Sequence, residues 1–360
     1  MKNISTSKKI VLTGGGTAGH VTPNIALLPA LKNLGYDISY IGSHGGIEKK
    51  LITDFDIPYY GISVGKFRRY FDLKNLTDPF RVIKGYAEAK KHLQLIKPDI
   101  VFSKGGFVSV PIVRAAASLK IPCIIHESDM TPGLANKMCI SAAEIICCNF
   151  PETVRMLKSG KAVLTGSPIR SELKHGNPVA ALNLCDFTAN KPVIMVIGGS
   201  LGASSINETV RLALPKLLDD FQIIHICGKD KVDNMLLHYK GYKQFEYVKS
   251  ELKDLFAIAE LVISRAGANS ICELLALRKP NLLIPLAAGS RGDQIQNARS
   301  FESQGFSIVI NDDDLTESLL VDKIHELYFS RSNYIDAMDK SNQINSIQTI
   351  VDLIEQTISG

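Results

Sequence analysis

Four times in this chain a short apolar run ends in a glycine-rich turn that opens into a helical pattern. The runs are Ile10-Val11-Leu12-Thr13, Ile100-Val101-Phe102-Ser103, Val193-Ile194-Met195-Val196-Ile197 and Leu261-Val262-Ile263. The turns are residues 14–19, 104–106, 198–202 and 265–267. Such runs suit strands buried on both faces, joined by crossing helices into a parallel sheet. Residues 99–106 (DIVFSKGG) also resemble 260–267 (ELVISRAG), and each is followed by a helix and then a strand after a proline, Pro122 or Pro280. This is a weak internal repeat. With 360 residues there is room for two domains. The expected fold is therefore α/β, with two doubly wound, Rossmann-like domains in tandem. Ligands in such sheets lie beyond the carboxyl ends of the strands, so two facing sheets would line a cleft with glycine loops. The tail, 343–358, has helical spacing.

The most informative turn is Arg265-Ala266-Gly267-Ala268-Asn269-Ser270, followed by Ile271-Cys272-Glu273. Gly267 permits a sharp turn and a close ligand. Asn269 and Ser270 suit the start of a helix, whose unbonded N–H groups attract an anion. Glu273, about one turn further on, can accept two hydrogen bonds from a diol such as ribose. Diphosphate plus ribose reads as a nucleotide. On these residues alone, an ordinary strand–turn–helix with a solvated Glu273 fits equally well.

Several classes are excluded. Residues 14–19 match the glycine spacing of a P-loop, but His20 and Val21 stand where it needs Lys and Ser or Thr. A dinucleotide reader needs a carboxylate at the end of its second strand; here those ends read Tyr40-Ile41-Gly42-Ser43 and Ile226-Cys227-Gly228. The net charge of +5 is too mild for a dedicated nucleic-acid binder. Seven cysteines, an odd number with no C-x-x-C spacing, read as buried thiols in a reducing compartment. No apolar run reaches the roughly 18 residues of a membrane span.

Seven motifs in one order carry a closer likeness. They are residues 13–20 (TGGGTAGH), 102–108 (FSKGGFV), 126–137 (HESDMTPGLANK), 166–170 (GSPIR), 198–202 (GGSLG), 264–273 (SRAGANSICE) and 292–298 (GDQIQNA). On these, the chain resembles the MurG family of glycosyltransferases, enzymes of GT-B fold that act in peptidoglycan synthesis. The likeness implies inverting transfer of N-acetylglucosamine from UDP-N-acetylglucosamine to the C4 hydroxyl of the muramyl sugar in lipid I, giving lipid II. It implies an acceptor- and membrane-binding domain over 1–168, a UDP-sugar domain over 169–342, and a helix over 343–360 packing back across them. A related enzyme glycosylating diacylglycerol, and a non-catalytic UDP-sugar sensor, are the competing readings.

By position, the resemblance implies that Glu273 accepts the ribose diol and that the backbone near Val248 reads uracil. Ser200 with Ala268, Asn269 and Ser270 would hold the diphosphate, and Arg265 and Arg170 would lie near the nucleotide. Gln294 and Asp129 would contact the transferred sugar, although the family more usually has Asn at the latter position. Ionised Asp accepts but does not donate, so that contact differs. Gly15, Gly16 and Thr17 belong to the acceptor loop, where Ala18 replaces a frequent Gly. His20, at the edge of that loop, is the leading general base, its ordinary pKa suiting work near neutrality; His126 and Glu127 are second choices. No metal or cofactor is implied: Arg265 and the helix start at residues 267–270 can steady the departing diphosphate. Asp312-Asp313-Asp314 reads as a solvated turn. Basic and aromatic residues interleave over 66–84 (Lys66, Phe67, Arg68, Arg69, Tyr70, Phe71, Lys74, Phe80, Arg81, Lys84), a pattern suited to an anionic membrane surface. The expected place is the cytoplasmic face of the bacterial membrane, held peripherally.

Overall fold

The computed structural model describes residues 7–65, 78–158, 160–199, 202–286 and 293–359. It divides into two units: residues 1–170 with 345–360, and residues 171–344.

The first unit is built on a seven-stranded parallel sheet. Its strands are β1 (Lys9–Thr13), β2 (Asp37–Ser43), β3 (Tyr59–Ile62), β4 (Ile100–Ser103), β5 (Cys123–Glu127), β6 (Ile145–Cys148) and β7 (Ala162–Leu164), in the order β3-β2-β1-β4-β5-β6-β7. Both faces are covered, which is why the strands read as unbroken apolar runs. Successive side chains alternate across the sheet. Val11, Ile41, Val101 and Ile125 face Leu93, Ile112, Val113 and Ala116 on one side. Ile10, Leu12, Tyr40, Phe102 and Ile124 face Leu27 and Leu31 on the other. The C-terminal helix Ser346–Ser359 joins that second layer through Ile350, Val351 and Ile354. Each such burial contributes roughly 1.5–3 kcal/mol. Glu355 fixes the helix further, accepting from Lys8 and Tyr36.

The second unit repeats the plan with six parallel strands. These are β8 (Val193–Ile197), β9 (Gln222–Ile226), β10 (Tyr242–Phe245), β11 (Ala259–Ser264), β12 (Asn281–Leu283) and β13 (Ser307–Val309), ordered β10-β9-β8-β11-β12-β13. Val196, Ile223, Leu261 and Ile263 pack under helices Ser204–Asp220 and Glu317–Phe329 through Val210, Leu214, Leu217, Leu320 and Ile324.

In both sheets the strand order reverses beside the first strand, between β1 and β4 and between β8 and β11. Register then decides what emerges there. Thr13 pairs with Ser103, so Gly14 and Lys104 leave the sheet side by side. Ile197 pairs with Ser264, so Gly198 and Arg265 do the same. Such a reversal opens a crevice at the carboxyl ends of the strands. All seven cysteines are free and buried. No described helix is long and apolar enough to cross a membrane.

Candidate active site

At the reversal in the first unit, the loops after β1 and β4 are locked together. Lys104 N donates to Thr13 O (2.8 Å) and Gly15 N to Gly105 O (3.4 Å). Gly106 has φ +84°, and a Cβ there would overlap the Gly15 carbonyl while lying 3.2 Å from the His20 ring. Asn24 and Tyr40 support the loop from below, donating to Thr13 O (3.0 Å) and Gly14 O (2.6 Å). A further support is not legible as a motif. Glu48, on helix Ile47–Ile52, is fully buried. Its carboxylate accepts from Gly16 N (3.2 Å), Ser43 N (3.0 Å) and the Ser43 hydroxyl. A Cβ on Gly15 would sit 2.6 Å from that carboxyl carbon. The signal for it was the cluster Gly42, Gly45 and Gly46 around one acid.

His20 closes this loop. Burial, and after it the positive charge of Lys104, bring its pKa down to about 4, against a smaller opposing contribution from the Lys104 carbonyl. The ordinary pKa assumed from sequence therefore does not hold: the imidazole is neutral at pH 7. Its Nδ1 is buried without a hydrogen-bond partner. Lys104 is fully buried, with Nζ 2.8 Å from His126 Nδ1 and bonded to the Ser128 hydroxyl. His126 spends its other nitrogen on Gly166 O (2.9 Å). Glu127, 3% exposed, accepts from Asp129 N (2.9 Å), Gly133 N (3.0 Å) and Asn136 Nδ2 (2.8 Å). Burial raises its pKa and these bonds partly offset the rise. Glu127 thereby shapes the loop that carries Asp129. Gly16 and Thr17 are exposed, and Asp129 and Arg170 are half-buried.

In the second unit, helix Ala268–Ala276 starts from Gly267 as N-cap, with no side-chain cap. Its hydrogen-bond ladder begins at Ile271 N to Gly267 O (3.1 Å), so the amides of Ala268, Asn269 and Ser270 precede it. Asn269 and Ser270 thus stand in the first turn, not at the cap. Glu273 lies further along, half-buried. Val248 is buried after β10, beside the exposed Tyr247. Gln294, in the first turn of helix Asp293–Ser303, accepts from Leu286 N (3.0 Å). Gly199 and Gly202 have φ of +86° and +67°, and a Cβ on Gly202 would overlap the Cys227 carbonyl. Ser200 lies outside the described residues, as do residues 66–77 of the basic segment.

Asp312 departs from the solvated turn read in the sequence. It pairs with Arg265 at 2.8 Å, the two side chains being 17% and 11% exposed. Arg265 also donates to Ile284 O (3.0 Å) and Ser205 Oγ (2.9 Å). A run of three acids shows its exposure in sequence but not that one of them turns inward.

Known proteins bear on this arrangement. Residues 10–147 match the glycosyltransferase family 28 N-terminal domain, and residues 193–355 match the family 28 C-terminal domain. A protein of Lachnospira eligens, named UDP-N-acetylglucosamine–N-acetylmuramyl-(pentapeptide) pyrophosphoryl-undecaprenol N-acetylglucosamine transferase, is 62% identical over 349 residues, covering 97% of this chain and 99% of that one. A protein of the same name from Lachnoclostridium phytofermentans is 60% identical over 97% of this chain and 99% of its own. The crystal structure of Acinetobacter baumannii MurG superposes with a TM-score of 0.76 at 26% identity, covering 97% of this chain and 99% of that one. Two parallel-sheet units of GT-B type, both family domains in order and end-to-end relatives agree: the chain is an enzyme belonging with the MurG enzymes of glycosyltransferase family 28.

Proposed function

We propose that this enzyme transfers N-acetylglucosamine from UDP-N-acetylglucosamine to the C4 hydroxyl of the muramyl sugar of lipid I, with inversion, giving lipid II for peptidoglycan synthesis. One observation carries the reading: 62% identity over nearly the whole of both chains with a transferase bearing that donor and acceptor in its name.

The residue roles are those the family resemblance implies, and the strand-end positions of these residues support them. In the second unit, the amides of Ala268, Asn269 and Ser270 meet the donor diphosphate with Ser200, at a helix N-terminus that favours negative charge. Glu273 accepts the ribose diol, the backbone at Val248 meets uracil, and Gln294 contacts the sugar. Arg265 and Arg170 lie near the nucleotide. In the first unit, residues 15–17 and Asp129 take the acceptor and the sugar. His20 is the general base: its neutral imidazole can accept the hydroxyl proton at pH 7. A substrate diphosphate nearby raises its pKa and so strengthens it as a base.

The acceptor is lipid-linked, and the segment 66–84 is the proposed contact with an anionic membrane, on the cytoplasmic face. Supporting this, Arg81, Lys84 and Ile83 are exposed, Ile83 to 66%. An apolar depression lined by Val64, Val82, Phe107, Val110, Pro111 and Met138 lies on the same unit.

The test is turnover of labelled UDP-N-acetylglucosamine with a lipid I analogue and, in parallel, with diacylglycerol. The reading predicts label in the disaccharide lipid only. Label in diacylglycerol alone would move the assignment to the lipid-glycosylating relatives.

A further inference from the structure

The ion pair between Arg265 and Asp312 joins three strand-end segments of the second unit. Arg265 follows β11, Asp312 follows β13, and Ser205 lies in the first turn of helix Ser204–Asp220 after β8. The guanidinium tip is held by Asp312, Ile284 and Ser205. Nη1 faces Asp312 Oδ1 (2.8 Å) and Ile284 O (3.0 Å). Nη2 faces Ser205 Oγ (2.9 Å) and Asp312 Oδ2 (3.2 Å). The two terminal nitrogens carry four hydrogens between them; three hydrogen bonds and the close charge contact with Asp312 Oδ1 engage the tip. Ser205 completes the triangle by donating to Asp312 Oδ1 (2.7 Å).

This count constrains what Arg265 can do. A forked grip on a phosphate uses two parallel N–H groups of the guanidinium. Made end-on through Nη1 and Nη2, that grip requires releasing Asp312, whose carboxylate is only 17% exposed and would be left poorly solvated. The arrangement instead fixes where residues 265–267 leave β11, and so where the first amides of helix Ala268–Ala276 point. It also fixes the start of helix Ser204–Asp220, just after the 198–202 loop.

We propose that Asp312 is a positioning residue of the donor site, bracing Arg265 and Ser205 so that the donor diphosphate is met by the first backbone amides of helix Ala268–Ala276. The proposal rests on the reading above that the UDP moiety binds at these strand ends. Asp312 itself touches no substrate. A bent or slackened brace would misplace amides by fractions of an ångström, a displacement that weakens such a site many-fold.

The experiment compares Asp312→Asn and Ser205→Ala with the unaltered enzyme, measuring UDP affinity by calorimetry and donor and acceptor KM separately. Asp312→Asn is expected to raise the UDP Kd and donor KM about tenfold, with the acceptor KM changed less than about twofold. Ser205→Ala, which removes one arm of the brace and keeps the ion pair, is expected to raise both donor constants about threefold. A variant lowered only in folded fraction would lose kcat and keep its KM. Unchanged or tighter UDP binding in Asp312→Asn would overturn the proposal, because Asp312 would then be idle or a competitor for the guanidinium. If Asp312→Asn does not fold, Ser205→Ala decides alone, unchanged donor constants overturning it. Failure of the underlying reading looks different: Glu273→Ala would then leave UDP affinity unaltered, or the unaltered enzyme would not bind UDP.

Discussion

The ammonium of Lys104 lies 2.8 Å from Nδ1 of His126, and neither side chain reaches solvent. Because His126 Nε2 bonds to the Gly166 carbonyl, that nitrogen carries the proton and Nδ1 offers its lone pair to Lys104. A buried cation thus sits behind the glycine loop that carries His20, in a place where an unaided reading of LysGlyGly sees only a turn.

The charge has a consequence for pH dependence. Burial and then Lys104 depress the His20 pKa to about 4. His126, which also faces Lys104, is neutral for the same reasons. Lys104→Met removes the charge and keeps the bulk. The acid limb of the kcat/KM profile should move upward in pH, while staying below the ordinary histidine range because burial remains. An unmoved limb would separate Lys104 from the base. His20→Ala should lower kcat by roughly 10²–10⁴.

Stability should fall on acidification across a defined window. His20, His126 and His225 all have depressed pKa values, about 4 for His20 and about 3 for His225, each chiefly from burial. Between the ordinary value of 6.5 and these folded values, the unfolded chain binds protons that the native chain does not. Their contribution is fully present above pH 6.5 and shrinks as pH falls, by up to about 1.4 kcal/mol per pH unit for each group. Glu127, raised by burial, opposes this. Urea unfolding at pH 7 and pH 5 measures the slope; a flat profile contradicts it.

Glu48→Gln should cost about 1–3 kcal/mol, because one amide cannot accept from Gly16 N and both donors of Ser43 without burying unpaired N–H groups. The acceptor KM should rise as residues 15–17 lose their support, with the donor KM little altered. Denaturant midpoints and the two KM values check both parts.

Gly202→Ala should be harsher, at about 3 kcal/mol, since its φ of +67° and the Cys227 carbonyl both exclude a Cβ. Gly16→Ala is the control: φ is +86°, but nothing lies within 4 Å of the added carbon, so only the backbone strain of about 1–2 kcal/mol applies. Equal losses in the two would deny the close approach at Gly202.

The fold was largely legible because buried parallel strands announce themselves as apolar runs. Strands at 10–13, 100–103 and 193–197 all appear within a residue of the expected bounds. The edge strands β7, β10 and β13 did not stand out, being only 3, 4 and 3 residues long. The start of the helix at 268–276 was placed at 267–270, and Gly267 serves as its cap where Asn or Ser is more usual. The site's supports were hidden for another reason. Glu48, Lys104, Ser205 and Asp312 act through partners distant in sequence, and the spacing of single charged residues does not reveal a pairing made by sheet register.

On the proposed function, the UDP moiety is held at the start of helix Ala268–Ala276 by backbone amides and one acid, Glu273. The most direct measurement is diffraction from a crystal of the enzyme soaked in UDP. The diphosphate is expected against the amides of Ala268, Asn269 and Ser270, the ribose diol on Glu273, and the Arg265–Asp312 pair intact. UDP lodged elsewhere, or its diphosphate forked onto Arg265 with Asp312 displaced, would contradict it.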